Sequence, residues 1–440
     1  MSQIRSKTIT EKVRADHNEY LFPSVQAYYK NPLVLVEGHG ATAIDSDGHK
    51  YSDFFSGILT TSIGHCHPQI VKKIQEQISL LNHTSTLYLN EPQVKTAKLL
   101  AKISPGSLKK CFFSNSGTEA VETAIMLARM YTGRDEIVAL RYSYSGRSTL
   151  ATNMNAQAPW RPLTSSIPWI KHAMSPYCYR CPFGPPHDDC AEKFARDLEE
   201  VIVTTTNGKP AAFFAETIQG AGGFIVPPAR YFQLAAEIIR RYGGLLIIDE
   251  VQAGFGRTGN KWFGIEHWGV EPDIMVMAKG IANGFPVGAT IAKPEIADIW
   301  TKKTISTFGG NPLSMVAAET TLNVMIEENV PIRAFQRGTQ LRKGLDSLYE
   351  KHSWIGEVRG MGLMQGMEIV TDRESKTPDP KRAGALMEAT REEGLLVGLG
   401  GINAHVVRIA PSLLITEEET AIGLEKLSLA CQKISTDSFD

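Results

Sequence analysis

The sequence predicts an α/β protein: a mostly parallel central sheet with helices on both faces, joined to a smaller α+β domain. Three observations carry that prediction. Between residues 110 and 292, apolar runs of strand length alternate with helical periodicities, the pattern of a parallel sheet built from crossovers. Three of those runs end on an ionisable residue: Ala211–Ala215 at Glu216, Leu245–Ile248 at Asp249, and Ile274–Ala278 at Lys279. From about Val330 the texture changes to helices interleaved with shorter strands, which marks a second unit. The expected boundaries are 1–60 for an N-terminal arm with part of the small domain, 61–325 for the large domain and 326–440 for the C-terminal small domain. A chain of 440 residues buries enough core for two domains.

In chain order, residues up to about Lys30 read as a polar, partly helical arm. Leu33–Glu37 and Thr42–Ile44 are short strands, followed by a turn at Asp45-Ser46-Asp47-Gly48. Ile70, Val71, Ile74 and Ile78 share one face of a helix over Pro68–Leu81, and a second helix covers roughly Pro92–Ile103. An apolar strand from Cys111 turns through Ser114-Asn115-Ser116-Gly117 into a helix bearing Ala120, Val121, Ala124, Ile125 and Ala128. Ile137–Leu140 is a strand, and the Pro-rich Ala156–Asp189 reads as a surface insertion. Helices follow at Asp188–Val203 and Tyr231–Tyr242, the second ended by Gly243-Gly244. Beyond Lys279 come a strand at Ala289–Ala292 and a long helix from Pro312 toward Glu328. The C-terminal unit holds helices Ile332–His352 and Lys381–Glu393, with strands near Gly356–Val358, Gly362–Ile369, Leu395–Val397 and around Val406–Pro411.

Composition narrows the function. A net charge of −1 offers no field to a polyanion, so nucleic acid is not an expected partner. No apolar run approaches the roughly 20 residues that a bilayer span needs, so no membrane is expected either. Glu11, Asp16 and Glu19 among the early basic residues argue against a transit peptide, and the expected location is cytoplasmic. Six cysteines do not make a disulfide framework. Cys178, Cys181 and Cys190, with His187 between them, read as a zinc-ligand set, a redox pair, or thiols in a structured loop, and no metal is assigned.

The chemistry starts from Lys279. A lysine at the mouth of a buried strand keeps its stem packed and loses hydration at its amine, which lowers the pKa. A neutral amine is what condensation with an aldehyde requires. A surface lysine capping a strand has the same sequence, so partners elsewhere in the chain must distinguish the two. In an open parallel sheet, ligands bind at the carboxyl ends of the strands, which brings Glu216, Asp249 and Lys279 to one rim. Ser116-Gly117-Thr118 opens a helix whose unpaired N–H groups and dipole suit a phosphate, although a plain N-cap would read alike. Tyr144, beside Gly146, can present its face to a planar ring. Arg408 sits in an apolar strand, where a buried guanidinium asks for an anion, from a substrate or from an internal salt bridge. Together these parts match pyridoxal 5′-phosphate. Its aldehyde goes to Lys279, its phosphate to Ser116-Gly117-Thr118, its ring to Tyr144 and its pyridine nitrogen to Asp249.

NSGTEA, AETIQG, IIDEVQAGFGRTG, MAKGIANGFPVGA, STFGGNP and RIAP occur in this order and spacing. By them the chain resembles the class III (ω-type) aminotransferases of fold type I, from near Tyr28 to Pro411. In the N-terminal half, YYKNP, DFFSGI, GHCHP and HTSTLY are similar to the alanine–glyoxylate type 2 branch. The resemblance implies a pyridoxal-phosphate enzyme working as a homodimer or tetramer with shared active sites. It assigns Lys279 to a Schiff base, Asp249 to the ring nitrogen and Gln252 to the neighbourhood of the ring hydroxyl. Thr307 would reach the phosphate of the other subunit's cofactor, and Ser145 and Ile58 join the cofactor-binding and substrate-binding sets. Where the family has aromatic-His-Gly, this chain has Tyr144-Ser145-Gly146, a smaller group beside the ring. Arg147 stands where 4-aminobutyrate aminotransferases bind a distal carboxylate, and Glu216 could pair with it when a monocarboxylate is bound. Arg408 would hold the other carboxylate.

The expected activity is a ping-pong transfer of an amino group to 2-oxoglutarate, pyruvate or glyoxylate. The donor is a small amino acid or ω-amino acid of the 4-aminobutyrate, β-alanine, taurine or alanine type. A racemase, aminomutase or phospho-lyase on the same scaffold is the alternative. A nucleotide-binding dehydrogenase is more remote, because SNSGTEA lacks the G-x-G-x-x-G spacing and GFGRTG does not directly follow the first strand.

Overall fold

The computed structural model describes residues 8–25, 27–163, 166–184 and 188–435. Seven strands form the central sheet. Their spatial order is Lys110–Ser114, Gly288–Ala292, Ile274–Met277, Leu245–Asp249, Ala212–Glu216, Ile137–Leu140 and Ile170–Ala173. Every pairing is parallel except the two made by Gly288–Ala292, which runs against both neighbours. The physical reason is loop length. Residues 278–287 are too few for a crossover, so the chain returns beside Ile274–Met277 in the opposite direction.

Alternation along the strands explains the layers. Ala212, Phe214, Leu245, Ile247, Ile274 and Val276 face one way, onto Ala120, Val121, Ala124 and Ala128 of helix Gly117–Thr132. Phe213, Ala215, Leu246, Ile248, Met275 and Met277 face the other way. There they meet Phe194 and Leu198 of helix Cys190–Thr205 and Phe232 and Ala235 of helix Tyr231–Arg241. All of these side chains are buried, and each larger one contributes about 1.5–3 kcal/mol. The α/β architecture with helices on both faces is therefore as the sequence predicts.

Two smaller sheets complete the chain. Ile355–Met361, Met364–Ile369, Val406–Ile409 and Gly398–Gly400 form an antiparallel sheet, accompanied in sequence by helices Val330–Lys351, Pro380–Glu392 and Glu417–Ser435. Leu35–His39, Thr42–Asp45 and Lys50–Asp53 form an antiparallel meander, and Leu395–Leu396 adds to it in parallel. The expected single strand Leu395–Val397 is thus divided. Leu395–Leu396 serves the N-terminal meander, and Gly398–Gly400 serves the C-terminal sheet.

The reading of Ala156–Asp189 as a surface insertion is corrected. Within it, Ile170–Ala173 is an edge strand of the central sheet, and Tyr177 is buried. Proline content hid a strand of only four residues. The apolar stretch after Asp53 also differs from any regular element. Ser56, Gly57, Ile58 and Leu59 all have φ between 50° and 64°, a left-handed turn in which three residues are not glycine. Such a turn costs roughly 1–2 kcal/mol per non-glycine residue. The buried Asp53 carboxylate helps to hold it, accepting from Phe55 N at 2.9 Å and Ser56 N at 2.8 Å.

Candidate active site

Sheet register brings the ionisable strand ends together. Glu216 lies opposite Asp249, and Asp249 lies opposite Val276, so Lys279 emerges three residues later at the same carboxyl edge. They line a cavity of about 310 Å³ with Ser116, Gly117, Thr118, Tyr144, Ser145, Arg147 and Gln252. Lys279 has φ 47°, a left-handed conformation unusual for a side-chain-bearing residue. A strained backbone over-determined by its surroundings is a common feature of functional positions.

The helix over the cavity begins at Gly117, capped by Ser116, whose hydroxyl accepts from Glu119 N at 3.2 Å. The Glu119 carboxylate folds back onto Asn115 N at 2.7 Å. Gly146 must be glycine here. Its φ is 132°, and a Cβ would come within 2.3 Å of Thr118 Oγ1. The Tyr144 ring lines the cavity and packs edge-on to Trp160 at 5.4 Å.

Burial governs the electrostatics. It lowers the Lys279 pKa, and the nearby charge of Arg408 adds to that, against the raising effect of Asp249 and Glu216. Glu216 is pushed up by burial and then by the Asp249 charge, with the amides of Gly220 and Tyr144 and the charge of Lys279 opposing. Asp249 is also pushed up by burial, opposed by the Val251 amide and by Lys279. The edge therefore holds an amine biased toward its neutral form beside two carboxyls that interact with it.

Three expected site residues are not brought to the cavity of a single chain. Ile58 is half exposed on the left-handed turn, and Thr60, two residues on, lines the cavity instead. Thr307 is exposed and lies off the cavity. Arg408 is buried beside it rather than on its wall. Its Nε donates to Leu399 O at 3.0 Å and its Nη1 to Gly220 O at 3.3 Å, with its guanidinium 4.9 Å from the Phe55 ring centre. The gate between Arg147 and Glu216 is expected only with a monocarboxylate bound, and without one Glu216 is held by backbone amides. Glu216 accepts from Tyr144 N at 2.9 Å, in the loop after the neighbouring strand Ile137–Leu140, and from Gly220 N at 2.8 Å, in the turn after its own strand.

Val251, Phe285, Pro286 and Val287 also line the cavity and were not singled out in the sequence. The available signal was an apolar residue between Asp249 and Gln252, and an apolar turn after Lys279. No disulfide joins the cysteines. Cys178 and Cys181 each make a thiol contact with Cys190, and burial pushes the Cys178 thiol up to about 12. His187 lies outside the described residues. Among the described residues, Asp45, Asp47 and His49 are the one trio of metal-capable groups within mutual reach. The Asp45 oxygens are committed to the turn, accepting from Asp47 N, His49 N and Tyr51 Oη.

The family described as aminotransferase class-III matches residues 24–431. The chain belongs to the class III aminotransferases. It is 40% identical to the mitochondrial alanine–glyoxylate aminotransferase 2 homolog 2 of Arabidopsis thaliana, over 96% of this chain and 87% of that one. Acetylornithine aminotransferase of Methanopyrus kandleri is 37% identical over 92% of this chain and 95% of its own length. Among solved structures, a thermostable (S)-enantioselective omega-transaminase from Thermomicrobium roseum superposes with a TM-score of 0.89. It is 32% identical and covers 99% of this chain and 100% of that one. The dehydrogenase alternative is overturned by this membership.

Class III aminotransferases depend on pyridoxal phosphate, and the cavity of this one fits that cofactor. Two buried polar atoms on its wall, Gln252 Oε1 and Ser145 Oγ, have no partner among the described residues. The unpaired amides at the start of helix Gly117–Thr132 add an anion site. Among the described residues, no helix is long and apolar enough to cross a membrane.

Proposed function

We propose that this aminotransferase moves an amino group from a small amino acid or ω-amino acid to a 2-oxo acid in two half-reactions. Donors are of the 4-aminobutyrate, β-alanine, taurine or alanine type, and acceptors are 2-oxoglutarate, pyruvate or glyoxylate. The observation that carries the reading is the meeting of Lys279, Asp249 and Glu216 at one sheet edge, against a helix N-terminus. Pyridoxal phosphate supplies an electron-withdrawing ring that stabilises negative charge at the substrate carbon.

The chain's residues would hold and serve that group as follows. The amides of Gly117 and Thr118 and the Ser116 hydroxyl take the phosphate, and the Asp249 carboxylate takes the ring nitrogen. The Gln252 amide takes the ring hydroxyl, while Tyr144 and Val251 flank the ring. Ser145 Oγ, a buried hydroxyl on the cavity wall, offers a further hydrogen bond. Lys279, its amine biased toward neutrality by burial, holds the aldehyde and then carries a proton to and from the reacting carbon.

Arg408 reads the substrate's near carboxylate. Among the described residues no carboxylate lies within salt-bridge distance of it. Arg147, exposed on the cavity wall, takes the distal carboxylate of 2-oxoglutarate. The enzyme works as a homodimer. Leu87, Tyr88 and Leu89 are 71%, 69% and 96% exposed, and Ile305 and Phe308 flank the exposed Thr307. An apolar surface of that kind marks an interface, and pairing it with a second copy would carry Thr307 toward the partner's phosphate. Ile58, half exposed on the same molecule, would wall the substrate space once the pair forms. The enzyme's location is the cytoplasm, which suits six cysteines without a disulfide, and cell fractionation tests this against the mitochondrion named for the Arabidopsis thaliana relative.

A screen of donors against acceptors on purified protein tests the substrate class. Turnover that requires an oxo acid is the expected result. Turnover of an amino acid with no acceptor present would assign a racemase, aminomutase or phospho-lyase instead.

A further inference from the structure

A second cluster of charges lies behind Arg408, in none of the roles above. Glu368, on strand Met364–Ile369, has a side chain with no exposed surface. Its Oε1 accepts from Arg180 Nε at 2.5 Å and contacts His405 Nε2 at 3.3 Å. Its Oε2 accepts from Arg359 Nη1 at 2.5 Å and from the Tyr177 hydroxyl. Burial raises its pKa, but the His405 hydrogen bond and the two guanidiniums outweigh that and hold it well below the usual carboxylate range. A buried carboxylate that saturated is rigid, because each lost contact would leave a desolvated charge.

The arm that reaches out of the cluster is Arg359. Its Nη1 is fixed by Glu368 and, at 2.6 Å, by Glu357, and its guanidinium lies 4.8 Å from the Tyr177 ring centre. Its Nε donates to Gly223 O at 2.8 Å. Gly223 ends a four-residue loop with unusual bonding. Gly220 N holds Glu216, Gly220 O holds Arg408, Ala221 O accepts from Gly401 N at 2.9 Å, and Gly223 O accepts from Arg359. The same loop therefore grips the cavity acid at one end and the arginine of the small sheet at the other. Arg408 itself pairs in register with Gly366, two residues before Glu368.

We propose that Arg359, anchored by Glu368, is a positioning residue for carboxylate recognition, setting the 220–223 loop that aims Arg408 and Glu216. The proposal rests on the reading of Arg408 as the carboxylate reader. Displacing a recognition group by about 1 Å is enough to cost a large factor in rate, so the effect should be measurable without loss of the fold.

The test compares two nucleophiles that both capture the cofactor's carbonyl in the holoenzyme: aminooxyacetate, which carries a carboxylate, and hydroxylamine, which does not. The readout is the ratio of their second-order rate constants. Arg408→Ala should lower that ratio about 100-fold. Arg359→Lys, which keeps the charge but gathers its three donors on one nitrogen and so cannot span the Nε and Nη1 positions, should lower it about tenfold. It should also speed hydrogen exchange at the Gly401 amide. Arg180→Gln touches the same Glu368 with no bond to the loop, and should lower the melting temperature while leaving the ratio unchanged. If Arg359→Lys does not accumulate as folded holoenzyme, Glu357→Gln carries the test with a smaller fall in the ratio. An unchanged ratio in Arg408→Ala would sink the carboxylate reading itself. A normal fall there, with no fall in the Arg359 or Glu357 variant, or an equal fall in Arg180→Gln, would overturn the positioning role alone.

Discussion

Asp249→Asn isolates the charge that the account assigns to the ring nitrogen. The substitution keeps the side chain's size and an oxygen able to accept from Val251 N, now at 2.9 Å. The backbone pairing of Asp249 with Glu216 and Val276 is also kept, so the strand and its core should be untouched. What is lost is one charge-assisted contact, worth about 1.5–3 kcal/mol. That converts to a fall in the rate of the donor half-reaction of about ten- to 150-fold. The variant does not confuse this loss with a change at Lys279. Asp249 raises the pKa of that amine, so removing the charge drives it further toward the neutral form the chemistry needs. The assay is a single-turnover half-reaction followed by the cofactor's visible absorbance, at full cofactor occupancy. A rate within about threefold of wild type would refute the assignment of Asp249 to the ring nitrogen.

Other outcomes follow from the same geometry. Arg147→Ala should raise KM for 2-oxoglutarate by about tenfold and for pyruvate by little, since only the former needs a second cationic partner; equal changes would remove the distal-carboxylate role. Gly146→Ala places a Cβ 2.3 Å from Thr118 Oγ1 at a φ of 132°, and should weaken cofactor retention on dialysis, with loss of colour as the measure. Glu368→Gln should cost about 3–5 kcal/mol in urea unfolding at neutral pH, as expected for breaking a buried ion pair. Its pH dependence has a definite sign. A carboxyl held low in the fold stabilises fully above its unfolded pKa of about 4.3, and the gap between wild type and variant should shrink as pH falls below that.

Much of the candidate site was legible in the residues because its cavity is built on strand ends. Glu216, Asp249 and Lys279 each follow an apolar run, and parallel pairing alone brings such ends to one edge. Ser116-Gly117-Thr118 was legible because a helix start has a local signature. What escaped depends on contacts between distant segments. Tyr177 and Arg180 lie in a Pro-rich stretch that reads as surface, and only the fold shows them closing on Glu368, 188 residues after Arg180. The left-handed turn at Ser56–Leu59 contains a β-branched residue that local preference would exclude, and Asp53 overrides that preference with two amide bonds. The amides that hold Glu216 escaped for a similar reason, since Tyr144 N comes from the loop after a neighbouring strand and only the fold brings it to the carboxylate.

Every role proposed for the cavity depends on the amine of Lys279 carrying the cofactor. Borohydride reduction of the holoenzyme, followed by peptide mass mapping, reads this directly. One pyridoxyl adduct per chain is expected, on the peptide containing Lys279 and absent from Lys279→Ala. An adduct on a different lysine, or none in a coloured, active enzyme, would contradict it.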